Sequence, residues 1–267
     1  MDGNRIKVSI GGTDIEKVVT HSLQINGSQI EKNNTDDGGW KQLVAGNDVD
    51  ISASIEGELG APKENGSLFL VSVGGTAVAA QRGGNLSISQ ELRDESHKTS
   101  RYPVRKSGKK MWSASLSTLT DLANTQHKAL ITAADQQTHV TLSIGPATPA
   151  TGDYTFSGDG AVNVNSENPD GDTATLSVDI TGNGALTKTE EGSFTNNGVI
   201  QFLDDLLAGT QVTYLITNED AAIGDLETIS LPFQIESIEL SFEKNDVVKI
   251  SANLQLAAEP TFTNKAA

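Results

Sequence analysis

The chain has 267 residues, room for one large domain or two small ones, each with its own core. Its 35 acidic and 19 basic residues give a net charge of −16, which excludes a protein that wraps nucleic acid through its phosphates. It has no cysteine, so disulfide frameworks and thiolate metal sites are excluded, and with aromatics at 4% any core rests on Val, Ile, Leu and Ala.

No apolar run follows Met1-Asp2-Gly3-Asn4-Arg5, and no stretch is long and apolar enough to span a bilayer, so neither a signal peptide nor a membrane span is expected. Ile6, Val8 and Ile10 alternate with Lys7 and Ser9, the period of a half-buried strand, and Gly11-Gly12 turns the chain. Leu23 and Ile25 alternate with Ser22 and Gln24. The polar, turn-rich stretch Asn26–Asn47 reads as a long loop, with Trp40, Leu43 and Val44 as its apolar anchors. Val49, Ile51, Ala53 and Ile55 then define a strand, and Ala61–Gly66 has the composition of a linker.

The same blocks then recur in the same order. Val71-Ser72-Val73-Gly74-Gly75-Thr76 repeats Val8-Ser9-Ile10-Gly11-Gly12-Thr13, and Leu86-Ser87-Ile88 repeats Leu23-Gln24-Ile25, both at an offset of 63. Trp112–Leu116 repeats Ile51–Ile55 at an offset of 61, after a second long loop at Gln90–Lys110. Blocks recurring in order at near-constant spacing mark a duplicated unit.

Residues Thr120–Gln137 suit a helix, with Thr120 or Asp121 as N-cap. Strands are expected at Val140–Ile144, Tyr154–Val164 and Ala174–Ile180, with Glu167–Asp172 as the turn between the last two. The closing third copies this second half. A helix at Gly198–Leu207 is stopped by Gly209, and strands follow at Val212–Ile216, Phe233–Phe242 and Val248–Leu254, with a slip at Ser237 that implies a bulge. Val162 and Val164 match Ile238 and Leu240 at an offset of 76; Leu176 matches Ile250 at 74. The order is thus first half, first half, second half, second half. That pattern predicts one unit, 66–187, inserted into another made of 1–62 plus 190–267.

No catalytic or cofactor motif emerges. His21, His97, His127 and His139 lack zinc-site spacing and are expected at the surface. There is no GxSxG, P-loop or strand-linked GxGxxG, and adjacent acids such as Asp204-Asp205 read as solvated charge. The chain is therefore expected not to be an enzyme and to need no metal or cofactor. Charge is unevenly placed: Arg82–Lys110 holds eight of the 19 basic residues beside three acidic ones. Its loop carries Arg93, Lys98, Arg101, Tyr102, Arg105 and Lys106, whereas the first loop carries Glu31, Lys32, Asp36, Asp37 and Trp40 and is slightly acidic. Equivalent loops of opposite sign suit alternating neighbours in an assembly, where complementary charge fixes register more than it adds affinity.

His21–Ile25, Lys32–Trp40 and Ile51–Ser54, in that order, resemble the first half of a tailed-bacteriophage major tail tube protein. Tyr154–Ala161, Ala174–Ile180 and Thr181–Thr187 resemble the second half. The resemblance implies an all-β fold with minor helix: two related tail-tube-like β-sandwich domains, each with one flanking α-helix, one inserted in the other. It further implies rings, of three chains with pseudo-six-fold symmetry or of six, stacked into a tube that conducts the genome. The two long loops are then the candidate inter-ring contacts. Implied partners are the tape measure protein and DNA in the lumen, with tail terminator and baseplate proteins at the ends. The place is the virion tail, after synthesis in the bacterial host cytoplasm. Two other readings stand beside it: a baseplate hub or tail-end ring protein, and a carbohydrate-binding or adhesin β-sandwich, which the scattered Trp and Tyr residues do not favour.

Overall fold

The computed structural model describes residues 6–10, 13–14, 18–32, 42–58, 66–151, 153–167, 173–191 and 199–266. Its first strands are β1 (Ile6–Ile10), β2 (Thr13–Asp14), β3 (Val18–Lys32) and β4 (Gln42–Glu58). After a 3-10 turn at Gly66–Leu68 come β5 (Phe69–Val73), β6 (Thr76–Ala77), β7 (Gln81–Asp94) and β8 (Arg105–Leu119), then helix α1 (Thr125–Gln136). Next are β9 (His139–Pro146), β10 (Tyr154–Glu167), β11 (Thr175–Glu190) and helix α2 (Val199–Ala208). β12 (Gln211–Asn218), β13 (Leu226–Glu243), β14 (Lys249–Leu256) and β15 (Thr261–Asn264) complete it. Among the described residues the fold is all-β with two α-helices.

Eight strands form one antiparallel run in the order β3-β4-β14-β13-β7-β8-β11-β10. β13 and β10 are long enough to serve two sheets. The N-terminal half of β13 pairs with β12, which carries β1 and β2; that of β10 pairs with β9, which carries β5 and β6. Strands that pass between layers need a local bend. β13 has a register shift between Ile235 and Ser237, where the sequence predicts one, and β10 has one between Ser157 and Asp159.

Burial follows the period-two pattern. Ile250, Ala252, Leu254 and Leu256 of β14 are buried, as are Leu86 and Ile88 of β7 and Ala114 and Leu116 of β8. They join Phe233, Ile238, Leu240 and the α2 residues Phe202, Leu203 and Leu206 in one apolar cluster. Each large side chain so buried contributes about 1.5–3 kcal/mol. α2 packs against β13, and α1 against β10 and β9.

The register of the first hairpin appears again in the second. Leu23 faces Ala53 as Leu86 faces Ala114, and register shifts fall between Gly27 and Gln29 and between Gln90 and Leu92, 63 residues apart. At each shift the extra residues lie on the second strand, β4 or β8, and include a glycine packed on the single residue opposite: a Cβ on Gly46 would meet Ser28 Oγ at 2.0 Å, and one on Gly108 would meet the Glu91 carbonyl at 2.6 Å.

Four expectations are corrected. Most of Asn26–Asn47 and Gln90–Lys110 is not loop: β3 runs to Lys32, β4 starts at Gln42, β7 runs to Asp94 and β8 starts at Arg105. These are hairpin arms, and in the second Glu91, Arg93, Asp94, Arg105, Lys106, Ser107, Lys109 and Lys110 leave no apolar alternation to mark the strands. Helix α1 begins at Thr125, capped by Asn124, whose Oδ1 accepts from the Gln126 and His127 amides at 3.0 and 3.1 Å. Asp121 is instead engaged in its own turn, its Oδ1 accepting from the Ala123 amide, and Leu122 is exposed. His127 is fully buried rather than at the surface. Its Nδ1 accepts from the Asp121 amide and its Nε2 lies 3.2 Å from the Ala79 carbonyl, so a neutral ring donating at Nε2 satisfies both. Finally, beyond the bulge, β10 corresponds to β13 at 74, not 76: Asn163 faces Asp179 and Val164 faces Val178, as Ser237 faces Asn253 and Ile238 faces Ala252. The bulge in β13 absorbs the extra residue that sequence matching misplaces.

Candidate assembly surface

The eight-stranded run has one face on the core, and alternation fixes the other. That outer face carries Ser22 and Gln24 of β3, Ser52, Ser54, Glu56 and Glu58 of β4, and Lys249, Ser251, Asn253 and Gln255 of β14. It continues through Ser237, Glu239, Ser241 and Glu243 of β13 to Asn85, Ser87 and Ser89 of β7 and Ser113, Ser115 and Ser117 of β8. Ser177, Asp179 and Thr181 of β11 and Asn163, Asn165 and Glu167 of β10 close it. Short hydroxyl and amide side chains dominate.

These groups bind one another across strands. Ser22 and Ser54 hydroxyls are 2.7 Å apart, Ser115 donates to Asn85 Oδ1 at 2.8 Å, and Asn85 Nδ2 donates to Glu239 Oε1 at 3.1 Å. Asn253 Nδ2 donates to Ser237 Oγ at 3.0 Å and Gln255 Nε2 to Glu236 Oε2 at 3.0 Å. The charge on this face is negative. Glu56, Glu58, Glu167, Glu239, Glu243 and Asp179 stand against Lys249, whose ammonium is held by Asp246 at 2.8 Å. Such a surface repels phosphates and offers no aromatic stacking platform.

The hairpin arms meet beside this sheet. Arg105 forms a two-pronged pair with Asp50, Nη1 to Oδ1 and Nη2 to Oδ2 both at 2.8 Å, and Nη1 also donates to the Leu256 carbonyl at 3.0 Å. The Asp50 carboxylate pushes the Arg105 guanidinium pKa up, against the opposing effect of burial. The Val49 amide donates to the Arg101 carbonyl at 2.9 Å. Between the arms lies an open cleft of about 630 Å³ lined by Asn26, Asp48, Asp94, Lys98 and Tyr102 among others.

The candidate contact residues divide accordingly. Arg93, Lys98 and Arg101 are exposed, with the Arg101 guanidinium 5.7 Å from the Tyr102 ring centre; Tyr102 itself is half-buried against the core. Lys106 is exposed and pairs with Glu95 at 2.6 Å. Arg105 binds within the chain. Glu31 and Lys32 lie in β3, opposite Leu43 and Gln42, whereas Asp36, Asp37 and Trp40 lie outside the described residues. Sequence reading did not single out the serine-rich face. The signal was the polar half of each alternating strand, which becomes one surface once strand order is known. Among the described residues no group of three or more His, Asp or Glu side chains is placed to hold a metal ion.

Residues 65–188 match the family model described as "Phage tail tube protein". No curated protein matches the chain. Among solved structures the chain is similar to the SPP1 tail tube, determined by solid-state NMR and cryo-electron microscopy. The identity is 17%, covering 47% of this chain and 77% of that one, with a TM-score of 0.37. It is also similar to a chain of the native gene transfer agent virion, at 10% identity over 71% of this chain and 98% of that one, TM-score 0.26. A chain from the tail of the empty gene transfer agent particle, computed with C6 symmetry, gives 11%, the same coverages and 0.26. Residues 65–188 are thus similar to the phage tail tube protein family.

Proposed function

We propose that the chain is a structural, non-catalytic component of a phage tail, built of two tube units, 66–187 nested in 1–62 plus 190–267. Rings of this chain stack into a tube, and the serine-rich outer face of the eight-stranded run lines its lumen. The observation that carries this reading is that face: one unbroken antiparallel sheet, apolar on one side and hydroxyl, amide and carboxylate on the other, next to a tail tube family match. A weakly acidic, hydroxyl-covered wall lets genome pass without holding its phosphates. The tape measure protein and DNA occupy the lumen in turn, terminator and baseplate proteins cap the ends, and the chain is made in the bacterial host cytoplasm. The hairpin arms lie at one end of the sheet, where the next ring sits.

Two units per chain favour three chains per ring. Electron microscopy of the purified protein over a range of concentration and salt tests this. Hollow tubes with three-fold end views and six similar lobes are the expected result. Single rings that never stack would replace the reading with a hub or tail-end protein, and six-fold rings would place 66–187 outside the wall.

A further inference from the structure

The two halves of the eight-stranded run join at a single ladder, β7 on β13. Ser89 faces Ser237, Ile88 faces Ile238, Ser87 faces Glu239 and Leu86 faces Leu240. β7 contributes its outer edge, and β13 contributes the length beyond the end of β12, which pairs no further than Gln234. The run then ends in two edges of the same two kinds. β3 pairs with β4 on one side, and among the described residues no strand pairs with its other side. On β10, β9 stops at Ala161 while β11 continues to Glu167, so among the described residues the edge from 162 to 167 has no partner strand.

Ladder register says how these edges correspond to the joined ones. β3 maps on β7 at 63, and β10 maps on the C-terminal half of β13 at 74. The β7–β13 pairing therefore transfers to Asn26 opposite Asn163, Ile25 opposite Val164, Gln24 opposite Asn165 and Leu23 opposite Ser166. Exposure agrees. Ile88 and Ile238 cover each other at the joint and are 1% and 0% exposed, whereas Ile25, at the position of Ile88, is 59% exposed. Val164, at the position of Ile238, is half-buried at the rim of the core. A long open edge carrying an uncovered isoleucine is a template for another strand.

We infer that β3 of one copy pairs with residues 163–167 of β10 of a second copy of this chain, in the register that β7 and β13 already use within the chain. The contact is head-to-tail, so it closes into a ring when its rotation divides the circle. Because the internal and intermolecular joints share one geometry, each chain supplies two similar steps of that ring. The inference rests on the tube reading above, and its test separates the two.

The chain has no cysteine, so disulfide trapping starts from a clean background. Residues facing each other across an antiparallel ladder have Cα atoms about 4.5–5.5 Å apart, within disulfide reach. Gln24→Cys with Asn165→Cys is the test pair, Ser87→Cys with Glu239→Cys is the internal ruler, and Gln24→Cys with Ala161→Cys is the out-of-register control. After oxidation of the assembled protein, the test pair is expected to give covalent multimers on a non-reducing gel, the ruler a cross-linked monomer, and the control nothing. Ile25→Lys is expected to abolish rings while leaving circular dichroism and the melting temperature of the monomer unchanged. Rings or tubes that form while the test pair fails to link, or that link through the control pair, overturn the register and leave the tube reading standing. A protein that stays monomeric at every concentration and salt while the ruler links overturns both.

Discussion

The indole of Trp112 lies directly across Gly182: a Cβ built on Gly182 would stand 2.3 Å from Trp112 Cε2. Gly158 takes the same ring at 2.7 Å, and Trp112 Nε1 donates to the Gly184 carbonyl at 3.2 Å. By register, Trp112, Gly182 and Gly160 take the places that Ile51, Leu256 and Phe233 hold in the β4–β14–β13 ladders. One slot is filled by a large ring lying over glycines, the other by three apolar side chains. Gly182→Ala is therefore expected to destabilise the protein by about 1–3 kcal/mol through overpacking. Adding Trp112→Leu should recover part of that loss, because the smaller side chain vacates the space. Denaturant unfolding of the two single variants and the double variant checks it; a double variant that loses the sum of both singles refutes the shared slot.

Arg105 and Asp50 tie the two hairpin arms together, with side-chain exposures of 18% and 45%. Exposed pairs contribute little, but a planar two-pronged pair that is partly shielded and also holds the Leu256 carbonyl is in the stronger class. A double-mutant cycle with Arg105→Ala and Asp50→Ala is expected to show a coupling of about 1–2 kcal/mol. Arg105→Lys should lose most of it, since an ammonium cannot reproduce both prongs. Additive single losses would mean that the arms are held by backbone contacts such as Val49 to Arg101 instead.

How much of this was legible depends on whether a residue touches the core. Leu86, Ile88, Ala114, Leu116, Ile250 and Ala252 announce their strands because burial forces period-two alternation. Residues Leu92–Asp94 and Arg105–Ser107 are strand too, but with no core beside them the ladder leaves no hydrophobic trace. His127 is buried because a turn at Asp121 and the Ala79 carbonyl meet around its ring, and those partners lie 6 and 48 residues away. The polar face was written in every strand as its serine half; strand order, set by long-range pairing, is what makes it one surface.

Asp94 gives a local pH dependence. The Ser96 hydroxyl and the Ser96 amide, the latter at 2.8 Å, donate to its Oδ1 and hold its carboxyl pKa below the ordinary value. Ser96 Oγ in turn accepts from the Val104 amide at 2.9 Å, closing the tip of the second arm. A carboxylate with a lowered folded pKa contributes above its unfolded value of about 4 and loses that contribution as pH falls through the folded value. Acidification is thus expected to speed amide exchange at Val104, relative to strand amides such as Val178, before the fold melts. Asp94→Asn should show fast exchange at Val104 already at neutral pH. Equal protection in both proteins at pH 7 would remove the carboxylate from this role.

Tyr214 poses the opposite case, a polar group that contributes nothing where it sits. Its ring is fully buried and meets Phe233 edge-on, with centroids 5.8 Å apart, while its hydroxyl is buried with no hydrogen-bond partner among the described residues. Burial pushes the hydroxyl pKa up to about 12, so it stays protonated at any pH the fold survives. A buried donor without a partner costs about 1–3 kcal/mol, whereas the ring contact does not need the oxygen. Tyr214→Phe is therefore expected to stabilise the protein by about 1 kcal/mol in denaturant unfolding. Tyr214→Ala should instead cost about 3–5 kcal/mol by opening a cavity against Phe233. A loss of stability in the phenylalanine variant would show that the hydroxyl binds a group in solution, most simply a buried water.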